Sequence, residues 1–152
     1  MISIRRAKKE DVEVFVRLRM ELFKELGEIV QDTDTVALEA TTKEYYMKNI
    51  NHNFICWLAE YNGQVVGSSG FNIFQRLPYE GNLSGLQGYI MNIYTLPEYR
   101  RKGIATYIVK EIINYSRKSE IKKLWLHASD EGKYVYNKLG FTLKNSEMEL
   151  TL

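Results

Sequence analysis

The stretch Tyr99-Arg100-Arg101-Lys102-Gly103-Ile104-Ala105 decides how this chain reads. It follows a strand-like run, Tyr89 to Thr95, that is closed by Pro97. It opens a helical pattern in which Ala105, Ile108, Val109 and Ile112 share one face. Amides in the first turn of a helix have no intrahelical partner, and the helix dipole adds partial positive charge there. Such a turn seats an anion, above all a phosphate. Gly103 lets the backbone approach a ligand without Cβ obstruction, and Arg100, Arg101 and Lys102 add charge beside it. The run therefore points to a phosphorylated ligand.

Ile2 and Ile4 alternate with Ser3 and Arg5 and predict an opening strand. Asp11 to Leu26 carries Val12, Phe15, Val16, Leu22, Phe23 and Leu26 at helical spacing, and Gly27 supplies a stop. Glu28 to Thr42 is less regular, with a second helix expected from about Leu38 to Ile50. Phe54–Tyr61 and Gln64–Phe74 are rich in strand formers and flank Asn62-Gly63, a hairpin signal because a type I′ turn needs positive φ at both positions. Pro78, Gly81, Asn82 and Ser84 mark Arg76–Gly85 as a loop. Leu86–Thr95 is the next strand, followed by the basic turn and a helix from Gly103 to about Arg117. Lys123–Ala128 reads as a strand and Glu131–Leu139 as a short helix stopped by Gly140. Phe141–Lys144 and Glu147–Leu152 suggest a final strand pair. The order β-α-α-β-β-β-α-β-α-β-β predicts a mixed α/β sheet flanked by helices.

The 152 residues are 45% hydrophobic and hold no Pro-, Gly- or Ser-rich linker, so one domain over residues 1–152 is expected. A net charge of +2 is too small to imply nucleic acid, and the basic cluster is local. One cysteine, Cys56, excludes an intramolecular disulfide. Met1–Glu13 is charged and has no apolar core of a signal peptide, and no run is long enough to span a bilayer. A cytoplasmic protein without membrane partners is the expectation.

Two motifs meet a known family. Arg100-Arg101-Lys102-Gly103-Ile104-Ala105 resembles the R/Q-x-x-G-x-G/A signature of the GNAT (Gcn5-related) N-acetyltransferases, and Tyr136-Asn137-Lys138-Leu139-Gly140-Phe141 resembles their Y-x-x-L-G-F segment. Ile4-Arg5-Arg6-Ala7 with Asp11-Val12 looks like the usual first strand and helix. The likeness covers nearly the whole chain and weakens between Gly27 and Asn53. It implies a mainly antiparallel sheet and acetyl-CoA as donor. It further implies that the amides from Arg101 to Ala105, with Thr106, hold the CoA pyrophosphate. Ile93 and Thr95 would face the pantetheine arm, the Ile93 N–H serving as an oxyanion donor. Ser129 stands where many members carry a CoA-contacting asparagine; a plain helix N-cap explains it equally well.

Tyr136 resembles the family's general acid, which protonates the departing thiolate. A tyrosine near pKa 10 facing a thiol near 8.5 makes full transfer uphill by about 2 kcal/mol, so a hydrogen bond to the sulfur is the lesser demand. Gly132, one turn back on the same stripe, is expected to leave room for a ligand beside the ring. The acceptor is an amine of unread identity. Its general base is unassigned, with Glu21, Glu25, Glu28 and Glu80 as candidates and His127 as a relay, each also readable as ordinary surface or structural groups. Acceptor entry is expected between the first two helices and the Arg76–Gly85 loop, with Tyr45, Tyr46 and Tyr79 as candidate lining. His52 and Cys56 do not make a metal site, and no metal is expected. Cys56 reads as a core residue rather than an acyl carrier. A non-catalytic acyl-CoA-binding module on the same scaffold is the alternative function. Homodimerisation is compatible with the family, although no interface can be read.

Overall fold

The structure, a computed structural model, describes residues 1–152. Six strands form one sheet: β1 (Ile2–Arg6), β2 (Phe54–Ile55), β3 (Trp57–Tyr61), β4 (Gln64–Gln75), β5 (Leu86–Thr95) and β6 (Lys123–Leu126). They lie in the order β1-β3-β4-β5-β6, with β2 also paired to β4. All pairings are antiparallel except β5 with β6. Four helices flank the sheet: α1 (Val12–Glu25), α2 (Val36–Asn49), α3 (Ile104–Lys118) and α4 (Asp130–Lys138).

The local signals explain most of these elements. Asn62 and Gly63 both take positive φ, +49° and +79°, and join β3 to β4 as the Asn-Gly pair predicts. Gly27 ends α1 at φ +76°. The predicted strand over residues 54–61 is two strands, because the chain passes Cys56 without a ladder partner.

Strand alternation feeds two cores, one on each face of the sheet. One packs Phe15, Val16 and Met20 of α1 and Tyr46 of α2 against Phe54, Cys56 and Leu58. The other packs Ile104, Ile108 and Ile112 of α3 against Trp57, Ala59, Val66, Phe71 and Ile90. Ile108 and Ile112 are fully enclosed, and each contributes about 2 kcal/mol by leaving water. α4 buries no residue completely, so it rests on the rim of the fold.

Two irregularities in β5 position the site. Its ladder with β6 runs from Gln87↔Lys123 to Ile90↔Leu126 and stops there, which leaves residues 91–95 without a partner on that edge. On the other edge the register jumps between Ser68↔Tyr94 and Gly70↔Met91, so Asn92 and Ile93 together oppose Ser69 in a bulge.

The expected final strand pair, 141–144 and 147–152, does not form: no strand follows β6. Leu143, Met148, Leu150 and Leu152 stay exposed. The alternation of this tail is genuine, but a strand needs an apolar cover as well as a pattern, and here its apolar side meets none.

Candidate active site

The basic turn has the geometry of an anion seat. Arg101 and Gly103 both adopt left-handed backbone, at φ +62° and +77°. Left-handed residues in such a turn gather successive N–H groups on one side. Gly103 is the N-cap of α3, and no side chain caps the first turn. A Cβ at Gly103 meets nothing closer than the Tyr107 ring at 3.5 Å, so dihedral angle rather than space calls for glycine.

The three basic side chains of the turn are used differently. Arg100 donates to both carboxylate oxygens of Glu25 at 2.6 Å and, through Nε, to the Thr95 carbonyl at 2.9 Å. Its guanidinium also lies 5.5 Å from the Tyr94 ring centre. Lys102 sits over the rings of Tyr61 and Tyr99, at 5.5 and 5.2 Å. Only Arg101 has no side-chain partner, so the positive charge left for a ligand is smaller than the sequence suggests. Hydrogen bonding from Arg100 holds the Glu25 carboxyl below the usual carboxylate range.

Ile93 and Thr95 lie on the stretch of β5 past the end of the β6 ladder. α3 begins nine residues after Thr95, and Ile104 packs into the sheet with a methyl near Gly67, the ladder partner of Thr95. The unpaired edge of β5 and the open amides of Ile104, Ala105 and Thr106 therefore border one gap. α4 begins at Asp130, four residues past the end of β6. Ser129 caps that helix, its Oγ accepting from the Gly132 N–H at 3.1 Å, so the N-cap role is real and its hydroxyl hydrogen is left to donate elsewhere.

Tyr136 is mostly enclosed, and burial pushes its phenol pKa up. Its ring lies against Phe141, 5.9 Å between centres. The space at Gly132 is taken by this ring: a Cβ there would stand 3.0 Å from Tyr136 Cε2. Gly132 thus makes room for the tyrosine itself, not for a ligand beside it, and this corrects the expectation.

The candidate bases separate. Glu25 is committed to Arg100, and Glu21 pairs with Lys24 at 3.1 Å. Glu80 lies in the loop that closes β4 to β5 at Gln75↔Leu86. From Leu86 to Ile93 the strand advances roughly 23 Å at about 3.3 Å per residue, so this loop and Tyr79 stand at the far end of β5 from the gap. α1, not the loop, borders the bulge. Tyr46 is core rather than lining, buried against Phe15 and Phe54 with its hydroxyl donating to the Lys8 carbonyl at 2.6 Å. His127 Nδ1 shares a short hydrogen bond with the Tyr89 hydroxyl, and Nε2 lies 3.8 Å from Glu147. Cys56 is enclosed, and burial pushes its thiol up to about 12.

Two residues of this region escaped the sequence reading: Asn92 in the bulge and Arg19 on α1, joined by an Arg19 Nη1–H donated to Asn92 Oδ1 at 3.1 Å. The available signal was an asparagine inside a run of strand formers, a residue that tolerates left-handed backbone; Asn92 sits at φ +57°.

A sequence profile of the acetyltransferase (GNAT) family matches residues 20–141. An uncharacterized N-acetyltransferase of Archaeoglobus fulgidus is 26% identical, with 82% of each chain covered. The crystal structure of a predicted acetyltransferase with acetyl-CoA from Clostridium acetobutylicum is 30% identical, covers 99% of this chain and 96% of that one, and superposes with a TM-score of 0.88. A GCN5-related N-acetyltransferase from Ralstonia eutropha JMP134 shares the fold at 21% identity and a TM-score of 0.85, covering 100% and 99% of the two chains.

Proposed function

The chain belongs to the GNAT acetyltransferase family, and from that premise we propose that it moves an acetyl group from acetyl-CoA to a primary amine, by direct attack of the amine in a ternary complex. The observation that carries this reading is the pair of left-handed residues, Arg101 and Gly103, opening α3 beside the unpaired end of β5. The residues fit the donor: uncapped amides suit a pyrophosphate, and a strand edge free of its neighbour suits an amide-bearing arm.

In this reading the amides of Arg101 to Ala105, with Thr106, hold the pyrophosphate, and the Arg101 side chain adds charge. Arg100 and Lys102 shape the turn through Glu25 and through Tyr61 and Tyr99. Ile93 and Thr95 bind the arm through their backbone, and the Ser129 hydroxyl donates to it. When bound, acetyl-CoA supplies a thioester activated for transfer. The Ile93 N–H would stabilise negative charge on its oxygen, a role that its position on the unpaired end of β5 supports. Tyr136, kept protonated by burial, donates a hydrogen bond to the leaving sulfur. An enclosed thiol pushed up to about 12 makes Cys56 a poor acyl carrier, which favours direct transfer.

The test is initial-rate kinetics with acetyl-CoA and a panel of primary amines, following thiol release. Intersecting double-reciprocal lines support the ternary complex, and parallel lines contradict it. Acetyl-CoA binding with no amine turned over would instead mark a binding module.

A further inference from the structure

We propose that Arg19 and Asn92 form a seat for a carboxylate carried by the acceptor, so that the amines this protein acetylates are acid-bearing ones. The inference rests on the acetyltransferase reading and names the substrate class of that same site.

Two arginines of the chain, Arg5 and Arg19, are half-buried, and the others are exposed. Arg5 is answered by two carboxylates: Asp11 takes Nη1 and Nη2 at 2.9 Å, and Glu60 takes Nε at 2.7 Å. Arg19 has no carboxylate within 4 Å, and its one hydrogen bond goes to the neutral Asn92 amide. A half-buried guanidinium without a counter-ion carries part of the cost of an unpaired buried charge, and a bound anion offsets it. Burial indeed lowers the Arg19 pKa, with Glu28 opposing from a distance.

Asn92 supplies a second, separate observation. It is 8% exposed, and its Nδ2 is enclosed with no hydrogen-bond partner. With Oδ1 accepting from Arg19, the unpartnered groups of the pair are N–H donors, and their complement is an acceptor with negative charge. The seat is also shaped. The Arg19 guanidinium lies 4.5 Å from the Phe23 ring centre, which leaves the edge of the planar fork to meet a planar carboxylate.

Position ties the seat to the reaction. Asn92 immediately precedes Ile93 in the bulge, and it meets α1, whereas α3 packs on the opposite face of the sheet. A donor held by the α3 turn and an acceptor held from the α1 side would meet at Ile93.

Two experiments decide. In the first, acetate and neutral acetamide are titrated into the isotope-labelled protein, with CoA present, while NMR follows the Arg19 Nε–H and Asn92 side-chain signals. The expected result is a saturable shift with acetate, at least tenfold weaker with acetamide and absent in Asn92→Asp, which places the protein's own carboxylate beside Arg19. Equal responses, or none, overturn the seat. In the second, amines are compared as free acids and as primary amides. The expected result is a preference for the acid of at least tenfold in kcat/KM, lost in Asn92→Asp while calorimetric affinity for acetyl-CoA is unchanged. No preference in the native protein overturns the inference and leaves the acetyltransferase reading standing. An acetate response with no acetyl transfer to any amine overturns that reading, and with it the assignment of the seat to an acceptor.

Discussion

Arg100 and Glu25 stand 75 residues apart in the chain and meet through two hydrogen bonds of 2.6 Å. This fork ties the end of α1 to the turn that starts α3, and the Arg100 Nε bond to the Thr95 carbonyl extends the tie to β5. The residue that looks like a phosphate ligand in sequence is, in the fold, a clamp between the two halves of the proposed site.

The clamp gives a prediction about the base. Glu25→Gln should lower amine turnover by less than tenfold, well short of the 10²–10⁴-fold that loss of a general base costs. Both side chains are partly exposed, so stability should fall by less than about 1 kcal/mol. Steady-state kinetics and denaturant unfolding of the variant check both statements.

Tyr136→Phe should lower kcat by about 10²-fold, the low end of a general-acid effect, because burial holds the phenol pKa up and favours hydrogen bonding over full transfer. Acetyl-CoA affinity should hardly change. Gly132→Ala is a subtler test. Its new Cβ stands 3.0 Å from the tyrosine ring and should displace it, reducing kcat with acetyl-CoA binding intact.

Cys56→Ala should turn over at the native rate, since an enclosed thiol pushed up to about 12 supplies no thiolate near neutral pH. It should cost stability by about 1 kcal/mol through the small cavity left in the core. A large loss of rate with normal unfolding behaviour would point to an acyl-enzyme.

Acid stability should depend on Asp11. The Arg5 hydrogen bonds hold its carboxyl below the usual aspartate value of 3.8, and the Lys8 N–H assists. A depressed folded-state pKa contributes stability that is fully present above the unfolded value. That contribution fades as pH falls from about 3.8 through the folded value. Asp11→Asn should therefore cost about 2 kcal/mol at pH 7 and distinctly less at pH 3. Denaturant unfolding at the two pH values measures the difference.

The sequence carried those features whose cause is local. The Asn62-Gly63 hairpin and the stop at Gly27 each follow from residues that set their own backbone, and each stands where its reading put it, whereas Gly103, read as room for a ligand, is called for by its left-handed dihedral angle. The features that needed distant partners were not legible. Residues 147–152 alternate cleanly, yet no strand forms because nothing covers their apolar side. The α2 segment gave a weak pattern because Tyr46 is its one fully buried residue. The bulge at Asn92 was not read although the asparagine interrupts the strand formers around it, since a register jump belongs to two strands at once. Neither the Arg100–Glu25 clamp nor the Arg19–Asn92 contact can be read from spacing: their partners lie 75 and 73 residues away.

The central claim is that the turn from Arg101 to Ala105 holds acetyl-CoA. Calorimetric titration with acetyl-CoA of the native protein and of Gly103→Glu, both first confirmed folded by thermal unfolding, tests it most directly. The expected result is saturable 1:1 binding in the native protein and its loss in the variant, whose side chain and charge occupy the anion seat. Equal affinity in both, or no binding to the native protein, would contradict it.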